Sequence, residues 1–161
     1  FTIPDGYIPK VGARVMSLQD PIAKMSKSDE NPNAYIGVLD EPNVIMRKFK
    51  RAVTDSDMEI RYDEEKKPGV SNLMSIYSSM TGKSFDEIEN EFDGKGYGDF
   101  KSAVGESVVE TLKPIQDRYK ELMDDKSYLD SVMKDGAQRA SYIANKTLRK
   151  VYKKVGLIPR V

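Results

Sequence analysis

The stretch Lys24-Met25-Ser26-Lys27-Ser28 calls for a chemical rather than a packing explanation. Its neighbours, Asp20-Pro21 before and Asp29-Glu30-Asn31-Pro32-Asn33 after, are turn-forming residues, so the stretch belongs to a loop. Two lysines three positions apart on a loop can converge on one anion, with the serine hydroxyls and free backbone N–H groups as further donors. Lysine is a mobile point charge on a flexible stem, suited to phosphates that change position during a reaction. In a displacement at the α-phosphate of a nucleotide, charge builds on the departing pyrophosphate, and ammonium groups there stabilise the transition state more than the ground state. By analogy with the loss of one preorganised oxyanion donor, each lysine would contribute roughly 2.7–4 kcal/mol. An exposed polar loop with unremarkable lysines is the alternative that the spacing alone leaves open.

Composition bounds the remaining possibilities. The chain has 161 residues, 39% hydrophobic and 32% charged, which suits one medium domain, or a domain with a piece of another. Lys+Arg and Asp+Glu each number 26, so net charge says nothing about a polyanionic partner. The distribution says more. Basic residues concentrate between Lys134 and Arg160, where Asp135 is the single acid, whereas every charged residue from Asp86 to Asp93 is acidic. With no cysteine, disulfides and thiolate metal sites are excluded, consistent with a reducing compartment and an expected cytoplasmic location. With no histidine, imidazole general bases and His metal sites are excluded from this chain. No apolar run approaches the ~18 residues of a membrane span.

The elements that must position the loop follow from caps and periodicity. Pro4, Gly6, Pro9 and Gly12 make the first residues extended or turning, with a short strand at 11–16 and an apolar run at 35–39. Asp40-Glu41-Pro42 starts a helix whose Ile45, Phe49 and Val53 form one buried stripe. Arg47, Lys48, Lys50 and Arg51 near its end read either as a solvated helix terminus or as a contact with RNA or nucleotide phosphate. Residues 59–62 suggest a short strand. Pro68-Gly69 opens a second helix that Thr81-Gly82 stops, and Ser84 with Glu87 forms the capping box of a third. Gly94-Lys95-Gly96-Tyr97-Gly98 reads mainly as a turn, since it lacks the spacing and the Lys-Ser/Thr ending of a phosphate-binding P-loop. A long helix follows from Phe100 to Leu122, which Pro114 should kink. The last, from about Ser127 to Lys154 with a break expected near Gly136, turns Met133, Ala137, Ala140, Ala144, Leu148, Val151 and Val155 inward. Its outer face carries Arg139, Lys146, Arg149, Lys150, Lys153 and Lys154.

The five loop residues resemble the KMSKS signature of class I aminoacyl-tRNA synthetases. The surroundings narrow the likeness: residues 9–16 (PKVGARVM), Ala52-Val53-Thr54-Asp55-Ser56, Ile60-Arg61-Tyr62-Asp63, Pro68-Gly69-Val70-Ser71-Asn72-Leu73 and Gly94-Lys95-Gly96-Tyr97-Gly98 look like the bacterial tryptophanyl-tRNA synthetase family. The tyrosyl family shares the loop logic, but its loop usually departs from the full KMSKS, and it lacks the IRYD and KGYG neighbourhoods.

The resemblance implies ATP-dependent activation of tryptophan to the adenylate and transfer to tRNA(Trp), with magnesium accompanying ATP and the whole enzyme a homodimer off the membrane. Carried over residue by residue, Lys24, Met25, Ser26, Lys27 and Ser28 would contact ATP, Lys24 and Lys27 on its phosphates as the catalytic pair, and Val15 would lie near adenine. No residue here is a metal ligand by that likeness. The expected fold is mainly α: a bundle-like helical domain over 41–161, approaching the anticodon, preceded by an extended loop remnant of a Rossmann catalytic domain over 1–40. The family places its nucleotide-binding half and tryptophan pocket ahead of KMSKS, so the chain is expected to be the C-terminal part and inactive alone. In isolation, Val15, Ile36 and Leu39 are expected to be poorly covered and the loop mobile. A free-standing helical RNA-binding module, a tyrosyl-type fragment and a purely structural helical domain are the competing readings.

Overall fold

The computed structural model describes residues 3–8 and 12–158, so Pro9, Lys10 and Val11 of the expected strand and family motif lie outside it. The chain is mainly helical, as expected: α1 (Pro42–Lys50), α2 (Pro68–Thr81), α3 (Phe85–Glu91), α4 (Tyr97–Asp124) and α5 (Lys126–Val155). Among the described residues there is no strand, only an isolated antiparallel bridge between Met16 and Lys24. Two compact units, Phe1–Gln116 and Asp117–Val161, meet inside α4. The loop region is tied to the helices, since Leu18 and Ala34 are buried, and Val15, Met25 and Ile36 pack against the helical core.

In the first unit, Pro42 occupies the start of α1, where no N–H partner is needed. Ile45 and Phe49 are buried, but Val53 is 44% exposed. The helix ends at Lys50, so position 53 no longer follows the helical repeat, and its N–H donates instead to Leu18 O at 2.8 Å. α2 is buried nearly all round, with Val70, Leu73, Met74, Ile76 and Tyr77 in the core, and Gly82 ends it at φ 76°, a left-handed conformation that favours glycine. Ser84 and Glu87 form the anticipated capping box of α3, which buries Ile88. Tyr77, Phe92 and Phe100 meet edge-on with ring centroids 5.0–6.2 Å apart, joining α2, the end of α3 and α4.

Residues 59–62 do not form a strand. The N–H of Tyr62 donates to Glu89 Oε1 (2.8 Å) and that of Asp63 to Ser71 Oγ (2.8 Å), so helix side chains satisfy the backbone that a strand partner would.

In the second unit, Asp125 caps α5 by accepting from the N–H of Tyr128 at 2.9 Å. α5 runs unbroken through Gly136, and α4 contains Pro114 yet continues to Asp124. The expected inward face of α5 is not buried. Met133, Leu148, Val151 and Val155 are all exposed, because an apolar helix stripe is buried only where another element covers it.

Candidate functional site

The Lys24–Ser28 segment grows out of a tight antiparallel turn. The N–H of Met25 donates to Val15 O (3.0 Å), that of Ser17 to Ala23 O (2.8 Å), and that of Ala23 to Asp20 O (3.0 Å). Ser17 Oγ accepts from the N–H groups of Gln19 and Asp20, fixing the bend at Asp20-Pro21. On the far side, short polar side chains and carbonyls close successive turns. Ser26 accepts from the N–H groups of Ser28 and Asp29, Asp29 from Asn31, and Asn31 from Asn33 and Ala34. The N–H of Leu18 then donates to Ala34 O (2.9 Å) and shuts the loop at its base.

Val15 and Met25, joined by that backbone bond, are half-buried against the core, while Lys24, Ser26, Lys27 and Ser28 are exposed. The structure thus anchors the methionine and leaves both neighbouring ammonium groups in solvent. Among the described residues neither Lys24 nor Lys27 is in an ion pair. Two unneutralised cations beside hydroxyls and turn N–H groups suit a polyanion. They do not suit a metal ion, and no cluster of three or more acidic side chains that could hold one occurs among the described residues.

The family described as tRNA synthetases class I (W and Y) matches residues 1–113, which takes in this whole loop and its helical support. The chain belongs to that family. It is 54% identical over 160 residues to the tryptophan–tRNA ligase of Clostridium perfringens, covering 99% of this chain and 48% of the relative. It is likewise 54% identical over 157 residues to that of Bacillus subtilis, covering 98% and 47%. Among solved structures, the tryptophanyl-tRNA synthetase of Mycoplasma pneumoniae superposes with a TM-score of 0.82 at 30% identity, over 93% of this chain and 45% of that one. The chain spans about half the length of the curated relatives it matches.

Three polar residues of this chain have roles that sequence reasoning missed. Lys48, grouped by position with an exposed basic cluster, is in fact buried. Its Nζ donates to Tyr35 O (2.9 Å) and to Asp40 Oδ2 (2.6 Å), which also accepts from the N–H of Gly37. Arg47, Lys50 and Arg51 do remain exposed and line a shallow groove with Asn43 and Met46.

Lys67 is also buried. It donates to Asp57, to Asp55 Oδ1 (3.3 Å), to Glu59 O (3.0 Å) and to Tyr97 Oη (3.2 Å), while the Tyr97 hydroxyl donates to Asp55 Oδ1. Burial would pull the Lys67 ammonium down, but hydrogen bonds to Asp57 and Asp55 outweigh it and raise it above 10.5. The same Lys67 bond holds the Asp57 carboxyl well below its ordinary range, and burial beside both carboxylates drives the Tyr97 hydroxyl up. Tyr97 therefore gives the glycine-rich run a structural use, as the residue that starts α4 and closes this cage. The third missed residue is Asn72, buried in the first half of α2, whose side chain reaches Met16. Its one sequence signal was membership of the Pro68–Leu73 motif, which carries no hint of its target.

Proposed function

We propose that this chain supplies the phosphate-binding loop and the helical, tRNA-facing portion of a tryptophan–tRNA ligase. The observation that carries the reading is the anchored Met25 between Lys24 and Lys27, both exposed and in no ion pair among the described residues, on a chain 54% identical over almost its whole length to ligases of that name. Lys24 and Lys27 act on the ATP phosphates, stabilising the charge that grows on pyrophosphate as the tryptophanyl-adenylate forms. Ser26, Ser28 and their turn N–H groups add donors, Met25 seats the loop, and Val15 faces adenine. Magnesium arrives on the triphosphate; the loop contributes cations to phosphate oxygens and no ligand to the metal. Residues 1–40 are the end of the catalytic domain, and 41–161 form the helical domain.

The remainder of the ligase supplies the tryptophan pocket and the nucleotide-binding sheet, so the isolated chain does not activate tryptophan. The whole enzyme works as a cytoplasmic homodimer. The exposed basic residues of α5, Arg139, Lys146, Arg149, Lys150, Lys153 and Lys154, favour tRNA phosphates as a partner of the second unit through counterion release. A helical RNA-binding module without catalysis is the second reading that this same face supports.

ATP–pyrophosphate exchange with tryptophan separates the two. Lys27→Ala in the full-length ligase is expected to lower exchange by roughly 10²–10³-fold, the loss seen when one preorganised donor is removed, with tRNA binding retained. Unchanged exchange would refute the phosphate role, and robust exchange by the isolated chain would refute its dependence on the other half.

A further inference from the structure

We propose that Asn72 is the positioning residue of the lysine loop, a side-chain brace that holds Met16 in register with Lys24 and so aims both lysines. The proposal rests on the reading that Lys24 and Lys27 act on phosphates. Bonds from Ser17 to Ala23 and from Met25 to Val15 flank the Met16–Lys24 pair, so Met16 and Lys24 are the pair that exchange no hydrogen bonds. In an antiparallel ladder such a residue turns its own N–H and C=O to the opposite edge. In a sheet, another strand would meet them there.

Here a side chain does. Asn72 Oδ1 accepts from the N–H of Met16 at 2.9 Å, and Asn72 Nδ2 donates to Met16 O at 2.9 Å. One carboxamide reproduces the two-bond exchange of a strand neighbour across 56 positions of sequence. Asn72 is only 6% exposed, so these bonds are made away from bulk water, where an unmade bond is costly.

Packing alone would not fix the register. Val15 and Met25 are only half-buried, and Met16 and Lys24 make only an isolated bridge, a ribbon too short to be stable by itself. A slip of one residue would turn Met25 outward and Lys24 toward the core. Asn72 prevents it from a rigid mount, because α2 is the most thoroughly buried helix of the first unit. Its start is held by the Lys67 cage and by Gly69, which lies against the Val53 carbonyl. Position is thus passed from α2 to Asn72, to Met16, and across the bridge to Lys24.

The experiment uses the full-length ligase with Asn72→Leu, the same in branching and heavy-atom count but unable to make either bond. Asn72→Ser, smaller and with room for water, carries the test where Asn72→Leu does not melt cooperatively. Expected is a fall of about 10–100-fold in kcat for ATP–pyrophosphate exchange, in keeping with the cost of misplacing a catalytic group by ~1 Å, with KM for tryptophan within twofold of wild type. Adding Lys27→Ala to the Asn72 variant should cost far less than Lys27→Ala costs alone, which a role confined to fold stability would not produce. Hydrogen exchange should show the amides of Met16 and Met25 losing protection while α2 and α4 keep theirs.

Full exchange activity in a folded Asn72 variant, full additivity with Lys27→Ala, or loss of cooperative melting in both variants overturns the proposal. Should Lys27→Ala by itself leave exchange intact, the phosphate reading fails. Amide protection then decides the brace separately: unchanged protection at Met16 in the folded variant refutes it.

Discussion

Gly69→Ala tests how tightly the helical scaffold grips the loop's neighbourhood. Gly69 lies in the first turn of α2, and by helix propensity alone alanine there should stabilise the chain by roughly 0.5–1 kcal/mol. The tertiary structure reverses that sign. A Cβ at position 69 would stand 2.2 Å from Val53 O, 3.1 Å from Val53 C and 3.3 Å from Thr54 Cα. These are backbone atoms, so no rotamer change relieves the clash, and the carbonyl must retreat by about 1 Å to reach ordinary contact. Val53 is held by its 2.8 Å bond to Leu18 O, and Asp55, two residues on, is clamped by Lys67. Overpacking of this kind costs about 1–3 kcal/mol, and a strained or lost hydrogen bond adds about 1 kcal/mol. Set against the propensity gain, the net destabilisation is about 2 kcal/mol, or about 4–8 °C in Tm for a chain of this size. Thermal denaturation followed by circular dichroism at 222 nm measures it. Gly136→Ala in α5, where a Cβ meets nothing within 4 Å, is the control and should raise helix stability by about 0.5–1 kcal/mol. A Gly69→Ala protein melting at or above the wild-type temperature would refute the claim that residues 53–54 are pressed against α2.

The remaining predictions concern the polar cage and its titration. Lys67→Met leaves two carboxylates facing each other around Tyr97, and should destabilise the first unit by about 3 kcal/mol in urea denaturation. That is the low end for breaking a buried pair, since Asp57 stays half in water. An unchanged midpoint would mean that the cage is electrostatically neutral to folding. On the acid side, Asp57 is lowered from its ordinary 3.8 mainly by Lys67, Asp63 mainly by the N–H of Lys66, Glu87 from 4.5 mainly by the N–H of Ser84, and Asp125 mainly by the N–H of Tyr128. Each carboxyl is more acidic in the folded chain than in the unfolded one, so its contribution is complete above the unfolded value and fades as pH falls through the folded value. Stability measured by urea midpoint should therefore be level above about pH 5 and decline below about pH 4. A midpoint that rises on acidification would contradict these assignments. On the alkaline side, Lys67 and Tyr97 are both raised, so their contribution is complete below about pH 10 and is lost above it.

Much of the helical layout was legible because its determinants are local. Pro68 at a helix start, Gly82 at a helix end, and Ser84 with Glu87 around a single turn act over at most a few residues, and each does in the structure what its spacing foretold. The stripe Ile45–Phe49 was legible for the same reason, whereas its extension to Val53 failed where α1 stopped at Lys50. The residues at 59–62 have strand-forming types, yet helix side chains accept the N–H groups of Tyr62 and of Asp63 just after it. Composition and periodicity give a side chain's polarity and its face on an element, but not which distant backbone group will meet it.

That difference divides the lysine loop itself. From the sequence alone came the motif, its turn-forming flanks, its place on a loop, and the phosphate chemistry that two lysines three positions apart suit. Only the tertiary structure decided that Met25 is the seated residue and that Lys48 and Lys67 are buried clamps rather than surface charges. It alone placed Asn72, 56 positions away, on the backbone of Met16. The reason is physical: a charge or a carboxamide is as readily satisfied by water as by protein, so its sequence carries no sign of its partner. Packing of α2 against the loop brings the two within 2.9 Å and takes the water away.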